Sequence, residues 1–373
     1  MDSGSRRLVF YSQRSASLSL YLDGLPPELA AEIAILPPSR LETDFPVLAG
    51  AGLVIFVRGF EDFWRSGLIA ALERIGVPCA WFTDDDVTAL RGEQTGFGFY
   101  SPQQVSTFAA RMVALIGTTA ALCDRLSDYR PNVLHWPCVL DETLLPALPN
   151  EVDPGPAASP GVAFVGGAFR VDGLKRLVLP ALDVLSGAHL TVVEGPAAKI
   201  AGVRVLPFQH DFNQFIAAWR VIAPDILVHP PGRTRNIGNK GPGILLTALY
   251  LGAVPIVADE PALREFGADQ GVWRATNAGY WRAALAAFAT PDMRQDRYRR
   301  LRDFARAKCA AEAARPAIEG LLALAAPRGA AAIGRQNAAM ALGWTPPARF
   351  LWRNRLRRIA SRSRSYVVGA SQH

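Results

Sequence analysis

Long hydrophobic runs are missing from this chain: no apolar stretch reaches the roughly 18–20 residues that a membrane span needs. Cysteine is scarce, with four in 373 residues. Cys79, Cys123, Cys138 and Cys309 are far apart, with no C-x-x-C and no histidine at ligand spacing. This argues against a disulfide framework or a zinc site and fits reduced thiols in a cytosolic protein. The N-terminal stretch "MDSGSRRLVFYSQRS" has an apolar run of only LVFY, so no secretory leader is expected. The motif G-x-G-x-x-G is absent, which argues against a nicotinamide or flavin site. Acid is missing from one end: no Asp or Glu follows Arg349, while seven arginines lie between Arg349 and Arg364. With 40 basic and 33 acidic residues in all, the net charge of +7 belongs to that tail and the body is neutral.

What remains is globular in composition, half hydrophobic and one fifth charged. The length suits two domains of about 150–200 residues. Short aliphatic runs recur at Leu8–Tyr11, Leu53–Val57, Pro78–Phe82, Val113–Gly117 and Val133–Trp136. A second set follows at Val162–Val165, Leu190–Val193, Val203–Leu206, Ile226–Val228 and Val254–Ala258. Runs that are apolar at every position suit strands covered on both faces, as in parallel sheets. Helical periodicity separates them, as in "EDFWRSGLIAALERIG" (61–76), whose closing Gly76 suits a C-terminal cap. Such alternation predicts two doubly wound α/β halves. "LPNEVDPGPAASPG" (148–161) reads as their linker, giving domains at 1–150 and 151–345 and a basic tail at 346–373. After about residue 280 the pattern is Ala- and Arg-rich helix, with no further strand expected.

Four segments, in order, resemble family 4-type glycosyltransferases. "ALIGTTAALCDRL" (114–126) is similar to the strand and helix of their N-terminal domain, and "NVLHWPCVLDETLL" (132–145) to the segment that follows it. "GVAFVGGAFRVDGLKRLVLPALDVL" (161–185) resembles the opening of their donor domain. "PDILVHPP" and "NKGPGILLTALYLGAVPIVADEPALREFG" resemble its later half. The resemblance spans roughly residues 50–310. It implies a GT-B fold, two Rossmann-like domains facing a cleft, and a nucleotide-diphosphate sugar as donor. It also implies retention at the anomeric carbon, with no metal or cofactor required.

Physical chemistry gives the same segments a role. Gly241 and Gly243 allow close backbone approach, Pro242 suits a first helical turn, and N–H groups there attract phosphate. Lys240 would add a point charge. A core helix initiated by Gly-Pro, with Lys240 solvated, is the plainer alternative. "FVGGAFR" has similar character, with Gly166 and Gly167 after a strand and Arg170 able to contact a diphosphate, or else a tight turn with a surface arginine. The family's two glutamates, eight positions apart, correspond here to Asn239 and Thr247. Asn239 can still bond a sugar hydroxyl, and Thr247 offers a hydroxyl where a carboxylate would accept two bonds. Thr247 bonding its own helix backbone is the local alternative.

Three aspartates, Asp84–Asp86, follow a strand in "AWFTDDDVTALRG", at the end where open α/β sheets bind ligands. Asp84 and Asp85, with Arg58 after "LVIFV", are candidates on the acceptor side; an N-cap for a following helix is the alternative. His229 and His210 join Asn239 as catalytic candidates on position alone.

The tail mixes Phe350, Leu351, Trp352, Leu356 and Ile359 with its arginines. It could lie on an anionic membrane, pack against the N-terminal domain or bind nucleic acid, though no nucleic-acid motif accompanies it. The expectation is a cytoplasmic transferase, peripheral at the inner face of the membrane, acting on a glycan or lipid-linked acceptor in cell-envelope polysaccharide synthesis. A non-catalytic binding or scaffold protein of the same fold is the alternative, favoured by the missing glutamates. A sugar-nucleotide epimerase is a third.

Overall fold

The structure is a computed structural model that describes residues 7–93, 97–146, 159–327, 329–348 and 350. Most of the expected linker and nearly all of the basic tail lie outside the described residues.

Two parallel sheets of six strands carry the fold. The first comprises β1 (Leu8–Tyr11), β2 (Ile33–Leu36), β3 (Leu53–Val57), β4 (Cys79–Thr83), β5 (Ala114–Gly117) and β6 (Val133–His135), in the order β2-β1-β3-β4-β5-β6. The second comprises β7 (Val162–Phe164), β8 (Leu190–Val193), β9 (Arg204–Leu206), β10 (Ile226–His229), β11 (Val254–Ala258) and β12 (Trp273–Ala275), in the order β12-β11-β10-β7-β8-β9. Strand order reverses its march at β1/β3 in one sheet and β7/β10 in the other. At such switch points the connections part to opposite faces and leave a crevice at the carboxyl ends.

The central strands are buried on both faces, and β3, β4 and β11 are buried at every position. Their apolar runs were therefore legible. The two strands that the sequence did not suggest, β2 and β12, are the outer edges of their sheets and largely half-exposed. The segment 61–76 forms two helices, Glu61–Arg65 and Leu68–Arg74, because Gly67 adopts a left-handed φ of 77° between them. Gly76 ends the second as expected, with a φ of 76°.

Helix Gly243–Leu251 is buried along its whole later part, from Leu245 to Leu251, which explains its apolar composition. It ends at Gly252 in the left-handed region, φ 75°, where chain reversal into β11 favours glycine. Late in the chain, helix Ala330–Leu342 returns to the first half and packs on helix Leu41–Ala49. Beyond it the Trp344 ring lies 5.1 Å from that of Phe45, and Phe350 is buried.

Candidate functional site

A cleft of about 460 Å³ opens where the carboxyl ends of the two sheets face each other. From the first half, Ser15, Ser17, Tyr21, Arg58 and Asp84 line it; from the second come Gly166, Gly167, Arg170, His229, Lys240, Gly241, Gly243, Thr247 and Glu260. The loop after β9 contributes Phe208, Gln209 and His210. Eleven of the thirteen residues singled out from the sequence thus share one wall or the other. Asp85 and Asn239 are not on the wall.

Chain direction explains the gathering. Arg58 follows β3, Asp84 follows β4, Gly166 and Gly167 follow β7, His229 ends β10, and Glu260 follows β11. Gly243 begins the helix after β10, and its amide sits in a first turn where N–H groups lack intrahelical partners. A Cβ at Gly243 would lie 2.9 Å from Leu20 Cδ1, a residue of the other half. Glycine there lets the two halves close on each other.

Arg58 adopts a left-handed backbone, φ 55°, rare for a residue with a side chain. Its N–H donates to Phe82 O at 2.8 Å, and its carbonyl accepts from Trp81 Nε1 at 2.8 Å, which fixes that conformation. The guanidinium then meets Asp84 (Nε to Oδ1, 3.1 Å), Ser17 Oγ (3.1 Å) and Asp85. Ser17 in turn donates to Asp84 Oδ2 at 2.8 Å. Asp84 raises the Arg58 pKa, against the opposing effect of burial.

The three aspartates have three different tasks. Asp84 reaches the cleft. Asp85 is buried and bonded by Arg58, Lys240 and the amide of Asn236. Burial pushes its carboxyl upward, but the two cations outweigh burial and hold it below the usual carboxylate range. Asp86 accepts from Thr88 N (2.9 Å), Thr88 Oγ1 (2.6 Å) and Ala89 N (3.2 Å), so it caps the next segment, which is a turn rather than a helix.

Several of these bonds join the halves. Asp86 N donates to Asn236 Oδ1 at 2.8 Å, Thr119 Oγ1 to Asn239 O at 3.1 Å, and Thr234 Oγ1 to Glu93 at 2.6 Å. Asn239 takes part here through its backbone carbonyl. Thr247 donates to Gly243 O at 2.9 Å, the local bond weighed from the sequence, while still lining the cleft.

Arg170 is buried, 2% exposed, rather than at the surface. It donates to both carboxylate oxygens of Glu260 (2.6 and 2.9 Å) and to Pro230 O (2.6 Å). Lys240, too, is committed to a carboxylate. Every cation on the cleft wall therefore has an acidic partner within the protein.

His229 meets the cleft at the end of β10, and its Nδ1 has no hydrogen-bond partner among the described residues. Burial, reinforced by Arg170 and Lys240, holds its pKa well below the ordinary imidazole range, so the ring is neutral at pH 7. His210 packs edge-on to Phe208, ring centres 4.9 Å apart. Burial pushes the thiols of Cys123 and Cys309 to about 11 and that of Cys138 to about 12, so none supplies a thiolate at neutral pH. Among the described residues no three His, Cys, Asp or Glu side chains are grouped to hold a metal ion. Nor is any helix among them long and apolar enough to cross a membrane.

Sequence reasoning missed Glu260, Ser17, Asn236 and the Phe208–Gln209 pair. Glu260 carried a usable signal, since it follows a strand as Arg58 and Asp84 do. Asn236 carried none, because its importance lies in a bond to a residue 150 positions away.

No protein-family model matches the chain, and no curated protein matches it. Solved structures do. Anabaena Alr3699/HepE in complex with UDP-glucose superposes with a TM-score of 0.59 at 10% identity, over 85% of this chain and 99% of that one. The same protein in complex with UDP and glucose gives 0.55 at 11% identity, over 85% and 100%. Two six-stranded parallel sheets with facing carboxyl ends, shared over that length, make the fold of this chain GT-B.

Proposed function

We propose that this protein is a glycosyltransferase that binds a nucleotide-diphosphate sugar in the cleft between its halves and transfers the sugar to a glycan or lipid-linked acceptor. One observation carries the reading. Two glycine-bearing strand-to-helix turns, at Gly166–Gly167 and Gly241–Gly243, converge with Lys240 on one cleft at the switch point of the second sheet. That arrangement suits a diphosphate. The GT-B likeness to a protein crystallised with UDP-glucose supports a uridine nucleotide as the first donor to test. Phe208, Gln209 and His210, on the loop after β9, offer flat and polar surfaces for the base.

In this reading Lys240 and the first turn of helix Gly243–Leu251 stabilise the leaving diphosphate by preorganised charge. Arg58 and Asp84 face the acceptor from the other wall, and neutral His229 offers a hydrogen bond to the sugar. Retention of anomeric configuration, independence of metal and a role in cell-envelope polysaccharide synthesis belong to the same proposal. So does attachment of the tail, Arg349–Arg364, to an anionic membrane surface at its cytoplasmic face. Turnover of UDP-glucose in the presence of lipid extract, followed by release of UDP, tests the transferase directly.

The second reading is a binding protein without turnover. Asn239 and Thr247 favour it, because neither is acidic and Thr247 spends its proton on Gly243 O. UDP-glucose binding without UDP release under any acceptor condition selects this reading over the first.

A further inference from the structure

We propose that Glu260, held in place by Arg170, is the residue that grips a hydroxyl of the bound nucleotide-sugar. It thereby takes over the polyol recognition that Asn239 and Thr247 cannot supply as acids. The inference rests on the nucleotide-sugar reading and assigns it a specificity residue.

A sugar or ribose hydroxyl is a donor, and its best buried acceptor is an ionised carboxylate. Two acidic residues line the cleft among the described residues, Asp84 and Glu260. Asp84 stands on the wall of the first half, with Oδ2 taken by Ser17 and Oδ1 against Arg58. Glu260 stands on the wall that bears Gly166, Gly167 and Lys240, beside the place proposed for the diphosphate.

The Glu260 bonding pattern counts its spare capacity. Oε1 accepts from Arg170 Nη1 (2.6 Å) and Gly232 N (3.1 Å), and Oε2 from Arg170 Nη2 (2.9 Å). All three contacts come from N–H donors, which carboxylate oxygens accept. A carboxylate offers about four acceptor positions, so one remains, on Oε2. Arg170 cannot swing away to meet a phosphate without leaving Glu260 buried and unpaired, since Pro230 O and Glu260 use its guanidinium. Arg170 is therefore a positioning residue, and Glu260 the one that touches ligand.

The test compares ligands first and variants second. Fluorine in place of a hydroxyl cannot donate, so calorimetry on the unaltered protein should show one sensitive position. Either one deoxyfluoro-glucose analogue of UDP-glucose, or the 2′- or 3′-deoxy-ribose analogue of UDP, should bind about tenfold or more weakly, the range for a charged hydrogen bond. The first result places the hydroxyl on the sugar and the second on the ribose. In Glu260→Gln that discrimination should disappear, and in Glu260→Asp it should survive in part. UDP-glucose binding with no analogue weakened more than about twofold overturns this proposal alone, whether or not the variants fold. Equal discrimination in Glu260→Gln overturns it as well. Failure of the unaltered protein to bind UDP or UDP-glucose overturns the uridine reading beneath it.

Discussion

Lys240 of the second half donates to the buried Asp85 of the first, and Asp85 also holds Arg58 and Asn236. The lysine best placed for a diphosphate is thus already satisfied by an internal carboxylate. A bound diphosphate has to share Lys240 with Asp85 or take it over. Asp85→Asn should therefore bind UDP more tightly, by about tenfold, because one charge-assisted competitor is gone. The same change should lower stability by about 2 kcal/mol, since the bonds across the halves weaken and two cations lose a partner. Weaker UDP binding in a folded Asp85→Asn protein would show that Asp85 orients Lys240 for the ligand instead of competing with it.

Acid should loosen this junction in a defined sense. The folded protein holds Asp85 below the usual carboxylate range. Its contribution to stability is present above the unfolded value of about 4 and is lost as pH falls through the folded one. Melting temperatures followed from about pH 6 to 3 should fall less steeply for Asp85→Asn than for the unaltered protein. Parallel curves would mean that another group carries the acid limb.

Arg170→Ala is expected to be costly through folding before it affects any ligand. It leaves Glu260, 6% exposed, with Gly232 N as its remaining partner among the bonds seen here. Breaking a buried pair in this way costs about 3–5 kcal/mol, whereas Arg170→Met with Glu260→Leu should come close to neutral. Urea unfolding of both variants measures the difference. A cost below about 1 kcal/mol for the single change would contradict a buried pair.

His229 should stay neutral in mildly acidic solution. Burial, with Arg170 and Lys240 nearby, opposes its protonation. Nitrogen chemical shifts at about pH 5.5, a unit below the ordinary imidazole value, should report an uncharged ring. An imidazolium at that pH would place water or an acid beside the ring and remove it as a neutral contact for a sugar.

The central strands were legible because burial on both faces leaves an unbroken apolar run, as in "LVIFV" at β3. Edge position alone does not hide a strand, since β6 and β9 are edges as well and were expected from Val133–Trp136 and Val203–Leu206; β2 and β12 are the edge strands that the sequence did not suggest. Glycine-rich turns and the residue after each strand located most of the cleft. Partnership was not legible. Arg170 and Lys240 looked like free cations, and only the packing of the halves shows that Glu260 and Asp85 had claimed them. The three aspartates, similar in sequence, were separated by backbone direction into a wall residue, a buried counter-ion and a turn cap.

The most direct measurement is calorimetric titration of UDP-glucose into the unaltered protein and into Lys240→Ala. The account predicts saturable binding to the first and binding weakened about tenfold or more in the second, the loss of one charge-assisted hydrogen bond. No binding to the unaltered protein, or equal binding to both, would contradict a nucleotide-sugar site between the halves.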